Sequence, residues 1–221
     1  MSTVNTITVT ARVMEQLSLC TSGGDTSNAN NMTAAGACGS ATTPAITLGS
    51  APNYVLGYTG ATPSSANIYT QLSTNAANGY ALYLRAANTG CANAGGLSRD
   101  NGATCEIPPI SSGSATAAAF TNNTAAFGAF VSTGAPATGG FGTNTAASRW
   151  SGAGSTYVMD TATANDNVVG TYGSRIAYTD TGDSKQANSV NNTITFAAVA
   201  SPITPAGIYS ENFSLIGVGT F

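Results

Sequence analysis

The run Val4-Asn5-Thr6-Ile7-Thr8-Val9-Thr10-Ala11-Arg12-Val13-Met14-Glu15-Gln16-Leu17-Ser18-Leu19 decides the fold class. Ile7, Val9, Ala11, Val13, Leu17 and Leu19 share one parity, and Thr8, Thr10, Arg12, Gln16 and Ser18 the other. A period of two is the mark of a half-buried strand. Glu15 alone interrupts the apolar side. Fully extended, sixteen residues reach about 50 Å at roughly 3.3 Å each. Strands in globular domains mostly run three to ten residues. The length therefore predicts that part of this strand, about Thr3 to Val13, projects beyond its own domain. The alternative is a bend at Arg12 to Glu15, with both halves pairing inside one domain.

The same period recurs downstream. Ile46 to Leu48 reads as a short strand. Asn67 to Thr74 and Tyr80 to Ala86 read as a hairpin joined by Asn75-Ala76-Ala77-Asn78-Gly79, with the turn signal at Asn78-Gly79. Phe127 to Val131, Tyr157 to Met159, Asn167 to Val169, Arg175 to Tyr178, Asn192 to Val199 and Ile208 to Phe221 complete the set. Ser114 to Ala126 is Ala-rich, but its Thr, Ser and Asn content predicts a loop or a short helix. Thr21 to Thr43 and Cys91 to Cys105 read as polar loops. The expected fold is all-β, a single sandwich with long decorated loops, divided as a projecting strand at 1–13 and one domain at 14–221. Val13, Leu17, Leu72, Leu82, Leu84, Ile194, Phe196, Phe213 and Leu215 are the expected core.

Charged residues make up 7% of the chain, against roughly 25% in ordinary globular domains. Ala, Thr, Ser, Asn and Gly take their place. Such a surface carries little like-charge repulsion and tolerates packing against copies of itself. Six basic residues and a net charge of −3 cannot line a phosphate-binding groove, so nucleic acid is not an expected partner. No apolar run approaches the ~20 residues of a membrane-spanning helix.

Four cysteines, Cys20, Cys38, Cys91 and Cys105, fit a disulfide framework in an oxidising compartment. The spacing lacks the C-x-x-C or histidine partners of a zinc site. Of three pairings, the local one, Cys20–Cys38 with Cys91–Cys105, closes the two shortest loops. Without histidine, the usual serine and cysteine triads are unavailable. A glycosidase would need two of the nine acids across an aromatic cleft. The single tryptophan, Trp150, reads instead as a lid on the core or a contact surface. Neither a catalytic site nor a cofactor is expected. Asp180-Thr181-Gly182-Asp183 is the one weak calcium candidate, through Asp180 and Asp183; an ordinary polar turn is the competing reading. The N-x-S/T triplets at Asn31, Asn122, Asn191 and Asn212 carry no information in a chain so rich in Asn and Thr.

Pro205-Ala206-Gly207-Ile208-Tyr209-Ser210-Glu211-Asn212-Phe213-Ser214-Leu215 resembles the closing hairpin of bacterial extracellular Ig-like sandwiches. Ile7-Thr8-Val9-Thr10-Ala11-Arg12-Val13 resembles the first strand of spore-coat-U-like and archaic pilin domains. Ile68 to Ala86 is similar to their second hairpin, and to that of surface sandwiches of small-genome bacteria. The resemblance implies an Ig-like fibre subunit that completes its sheet with a strand from a neighbour. On that reading Ile7, Val9, Ala11 and Val13 form the polymerisation strand. The partner is then the chain itself, head to tail, with a host or matrix surface as a further one, and the location is an extracellular surface filament. The alternative function is a monomeric surface adhesin or surface-layer domain that binds through its loops.

Overall fold

The computed structural model describes residues 10–23, 44–87, 90–100, 103–114, 116–152, 155–162, 172–179 and 185–221. Eight strands occupy them: β1 (Leu17–Gly23), β2 (Ser64–Thr74), β3 (Tyr80–Ala86), β4 (Ala126–Thr133), β5 (Thr145–Ala146), β6 (Ser174–Tyr178), β7 (Ala187–Val199) and β8 (Phe213–Gly219). Two 3-10 turns, Gly90–Asn93 and Ser148–Trp150, are the helical elements among the described residues. The strands form two antiparallel four-stranded sheets, ordered β1-β2-β7-β4 and β5-β6-β3-β8. One apolar cluster draws on both sheets, with Leu72, Leu82, Leu84, Ile176, Val190 and Ile194 fully buried. Each such side chain contributes about 1.5–3 kcal/mol on leaving water. The result is an all-β, sandwich-like fold.

Alternation located β2, β3, β4, β6, β7 and β8 correctly, and Leu72, Leu82, Leu84, Ile194 and Phe196 are buried as expected. Phe213 and Leu215 are partly buried against the same cluster. The partners of these strands differ from expectation. β2 and β3 are not a hairpin: β2 pairs with β1 and β7, whereas β3 pairs with β6 and β8. The loop at 75–79 crosses between layers about 10 Å apart. Gly79 completes it at φ +78°, where a Cβ would meet Thr179 Oγ1 at 2.4 Å. The run from β7 to β8 likewise changes sheets instead of closing a hairpin. Its strand starts at Phe213, since Ser210 bridges to Ser98. Ile46 and Leu48 pack on the core without forming a strand. Tyr157 and Val158 make isolated bridges, and Asn167 to Val169 lies outside the described residues.

The opening run is the largest correction. Among the described residues its strand begins only at Leu17. The β1–β2 ladder ends at the pair Leu17–Thr74, where β2 gives way to its loop, so residues 10–16 have no strand to bond. Val13 and Leu17, both expected in the core, are 84% and 37% exposed.

Polar ladders stand where charge pairs would be. Gln71 Nε2 donates to Asn191 Oδ1 at 3.2 Å, Asn192 Nδ2 to Thr70 Oγ1 at 3.3 Å and Thr195 Oγ1 to Asn67 Oδ1 at 2.9 Å, all across β2 and β7. Such bonds satisfy groups that would be costly to bury alone.

Candidate functional site

Two features lie on one side of the molecule: the N-terminal arm and the free edge of β8. The arm is anchored at its base by Asn75. Asn75 Oδ1 accepts from Gln16 N at 2.7 Å, its Nδ2 donates to Met14 O at 2.7 Å, and its N–H donates to Gln16 O at 3.3 Å. Thr74 Oγ1 adds a bond to Gln16 O at 3.0 Å. The arm therefore leaves the body at the pole that carries the loop at 75–79. Beyond the anchor, Ala11, Val13 and Met14 are exposed. Of the predicted polymerisation strand, Ala11 and Val13 are thus placed; Ile7 and Val9 lie outside the described residues.

β8 is the last strand of its sheet and pairs with β3 from Phe213–Ala86 to Gly219–Tyr80. Among the described residues no strand pairs with its other edge. β1 approaches it from the other sheet: a Cβ on Gly217 would lie 3.4 Å from Leu19 Cδ2 and 3.5 Å from Leu72 Cδ1. An exposed row of backbone donors and acceptors is a template for pairing with another chain.

The opposite side is closed. β4 bonds to Pro108, Ile110 and Val158, with Ala129 and Val158 exchanging bonds of 2.8 and 2.9 Å, Phe127 N donating to Pro108 O at 2.8 Å and Ile110 N donating to Phe127 O at 2.8 Å; Met159 N in turn donates to Ile110 O at 2.9 Å. Behind these segments Arg149 and Asp160 are wholly buried, with Nη2 and Oδ2 3.6 Å apart. Asp160 also accepts from Gly113 N at 2.7 Å and from Ala162 N at 3.1 Å. Arg149 Nη2 donates to Ser111 O at 3.5 Å. Sequence reading missed this pair, because the partners stand apart in the chain, at 149 and 160, with no local pattern linking them. Trp150, next in the chain, is fully buried with Nε1 donating to Ser174 Oγ at 3.0 Å, so its ring is part of the core and offers no face to a ligand.

Cys91–Cys105 is a disulfide, as the local pairing predicted. Gly96 passes so close beneath it that a Cβ there would sit 2.3 Å from Cys91 Sγ. Cys20 on β1 is not a free thiol; Cys38, its expected partner, lies outside the described residues. Asp180 and Asp183 also lie outside them. A surface depression of about 430 Å³, lined by Gly60, Pro63, Phe120, Asn122, Ser155 and Tyr157 among others, carries no charged side chain. No helix among the described residues is long and apolar enough to cross a membrane. No family model, curated protein or solved structure matches the chain.

Proposed function

We propose that the protein is a structural subunit of an extracellular surface filament, polymerising by insertion of its N-terminal strand into the neighbouring subunit. The observation that carries the reading is the outer edge of β8, which has no strand partner among the described residues, found together with an exposed apolar arm anchored at one pole. Main-chain bonds along such an edge supply affinity, and alternate side chains supply specificity. Insertion would also remove Val13 from water, at about 25 cal/mol per Å² of apolar surface. A head-to-tail contact of this kind does not close on itself and yields a fibre. The Cys91–Cys105 disulfide supports an oxidising, extracytoplasmic location. The low charge supports close packing of identical subunits.

Deleting residues 1–11 tests the proposal. The expected product is a folded subunit that does not polymerise, rescued by an added peptide of the missing sequence. Filaments of normal length and number from the truncated protein would end the reading.

A further inference from the structure

Resting on that filament reading, we infer a specific register for the contact. Residues 7–13 of a second copy pair antiparallel with β8, setting Ile7 opposite Gly219, Val9 opposite Gly217, Ala11 opposite Leu215 and Val13 opposite Phe213.

Backbone parity comes first. Asn212 O accepts from Ala87 N at 2.8 Å, and Thr220 exchanges bonds of 2.9 Å with Gly79 and Asn78. Even-numbered residues of this strand therefore bond to the β3 side. In an antiparallel ladder the alternate residues turn their N–H and C=O groups the other way. Phe213, Leu215, Gly217 and Gly219 thus present their backbone to the free edge. The same four positions face the opposite sheet: Phe213 and Leu215 pack on the core, and the Cβ direction of Gly217 points at Leu19 and Leu72.

Size comes next. Along β8 the inward positions fall from Phe and Leu to two glycines. The arm alternates Ile7, Val9, Ala11, Val13. Ile7 to Val13 covers seven positions, and β8 has 7 residues. Only the stated antiparallel register sets all four apolar arm residues against all four inward positions. It also puts Val9 beside Gly217 and the small Ala11 beside Leu215, while Ile7 at Gly219 meets the Phe221 ring, which lies 2.9 Å from where a Cβ there would be.

Direction follows from the poles. β8 ends opposite Tyr80, at the pole where the arm leaves its own body, and begins opposite Ala86, at the far pole. An antiparallel arm from a second copy enters with Ile7 near Gly219 and reaches Val13 near Phe213. The donating body then sits beyond the far pole, and its own far pole stays free for the next copy. A parallel arm would bring two arm-bearing poles together and close a dimer.

The test uses the full-length chain, with polymer mass followed by light scattering and micrographs and each subunit's fold checked by thermal melting. Ala11→Leu lies on the exposed arm and should slow polymerisation about tenfold by overpacking against Leu215. The double variant Ala11→Leu with Leu215→Ala should recover most of the rate, and Ala11→Leu with Phe213→Ala should not. Should Leu215→Ala unfold the subunit, Gly217→Val serves instead, since a Cβ there makes only ordinary contacts. Its block should be relieved by Val9→Ala and not by Ile7→Ala. A neutral Ala11→Leu, or rescue through Phe213 or Ile7, overturns the register. The deletion of residues 1–11 is run alongside. If it polymerises normally, the filament reading itself falls; if it does not while Ala11→Leu is neutral, only the register falls.

Discussion

β4 and β8 are both end strands of four-stranded sheets, but they are finished in opposite ways. Pro108, Ile110 and Val158 bond to the outer edge of β4. Those segments are held by a buried ion pair, and the chain just before them is closed by a disulfide. β8 has no strand on its outer edge among the described residues, and its inward side chains dwindle to glycine. A chain that can seal one edge with its own loops has the means to seal an edge. The difference is therefore informative: on the filament reading, the open edge is kept for a second copy. The two edges should also respond differently to substitution, the sealed one in stability and the open one in assembly.

The largest effect is expected at the sealed edge. Asp160→Asn leaves the Arg149 guanidinium buried without its counter-charge, and should cost about 3–5 kcal/mol in urea or thermal unfolding. Replacing both partners with leucine should cost clearly less, because no lone charge remains. If the single and double changes cost the same, packing rather than charge holds this edge. Removing the Cys91–Cys105 disulfide by serine substitution at both positions comes next. It closes a loop of 14-residue separation, so its loss should cost about 3 kcal/mol by chain-entropy arithmetic. An unchanged melting temperature would show that the bridges from β4 hold the region without it.

What the sequence made legible follows from what period two encodes. Ile68, Leu72, Leu82, Leu84 and Ile194 declare which face of a strand is buried, and all five are. They do not declare which strand lies beside them, and so Asn67 to Thr74 and Tyr80 to Ala86 read as a hairpin when they belong to different sheets. Near the N-terminus the pattern misled in another way. Val13 continues the parity of Leu17 and Leu19 but has no partner strand, because the ladder stops at Thr74. Asn75, which fixes where the arm leaves, looked like an ordinary turn residue. The close approach of Gly217 to Leu19 and Leu72 likewise has no signal in the sequence. Arg149 and Asp160 were visible as charges, but pairing across separate loops is not a local signal.

At the open edge the expected stability effects are small. Val13→Ser should change subunit stability by no more than about 0.5 kcal/mol, since the side chain is 84% exposed. The same variant should slow filament growth measurably by light scattering. A large loss of subunit stability would mean that the arm packs on its own body, and the contrast between the two edges would collapse.

The smallest effect concerns acid. Asp100 sits inside the loop closed by Cys91 and Cys105, where Thr104 donates to it through both its hydroxyl and its backbone N–H, the latter at 3.0 Å. The Thr104 hydroxyl, followed by its N–H, holds the carboxyl below the usual range. A depressed folded-state value means that the charged form is the one the fold favours. The contribution to stability is then complete above the unfolded-state value of about 3.9 and disappears as the pH falls through the lower, folded-state value. Because the group is exposed, water and salt screen the effect and keep it slight. Asp100→Asn keeps one acceptor for Thr104 but loses the charge. Its melting temperature should lie slightly below that of the parent at pH 7, and the gap should close on acidification below about pH 4. With no histidine in the chain, both proteins should give flat profiles from about pH 5.5 to 7.5. A gap that widens in acid would show that Thr104 does not favour the ionised form, and that the loop is held by its disulfide and by the Arg99–Glu106 ion pair, Nε to Oε1 2.8 Å, that flanks it.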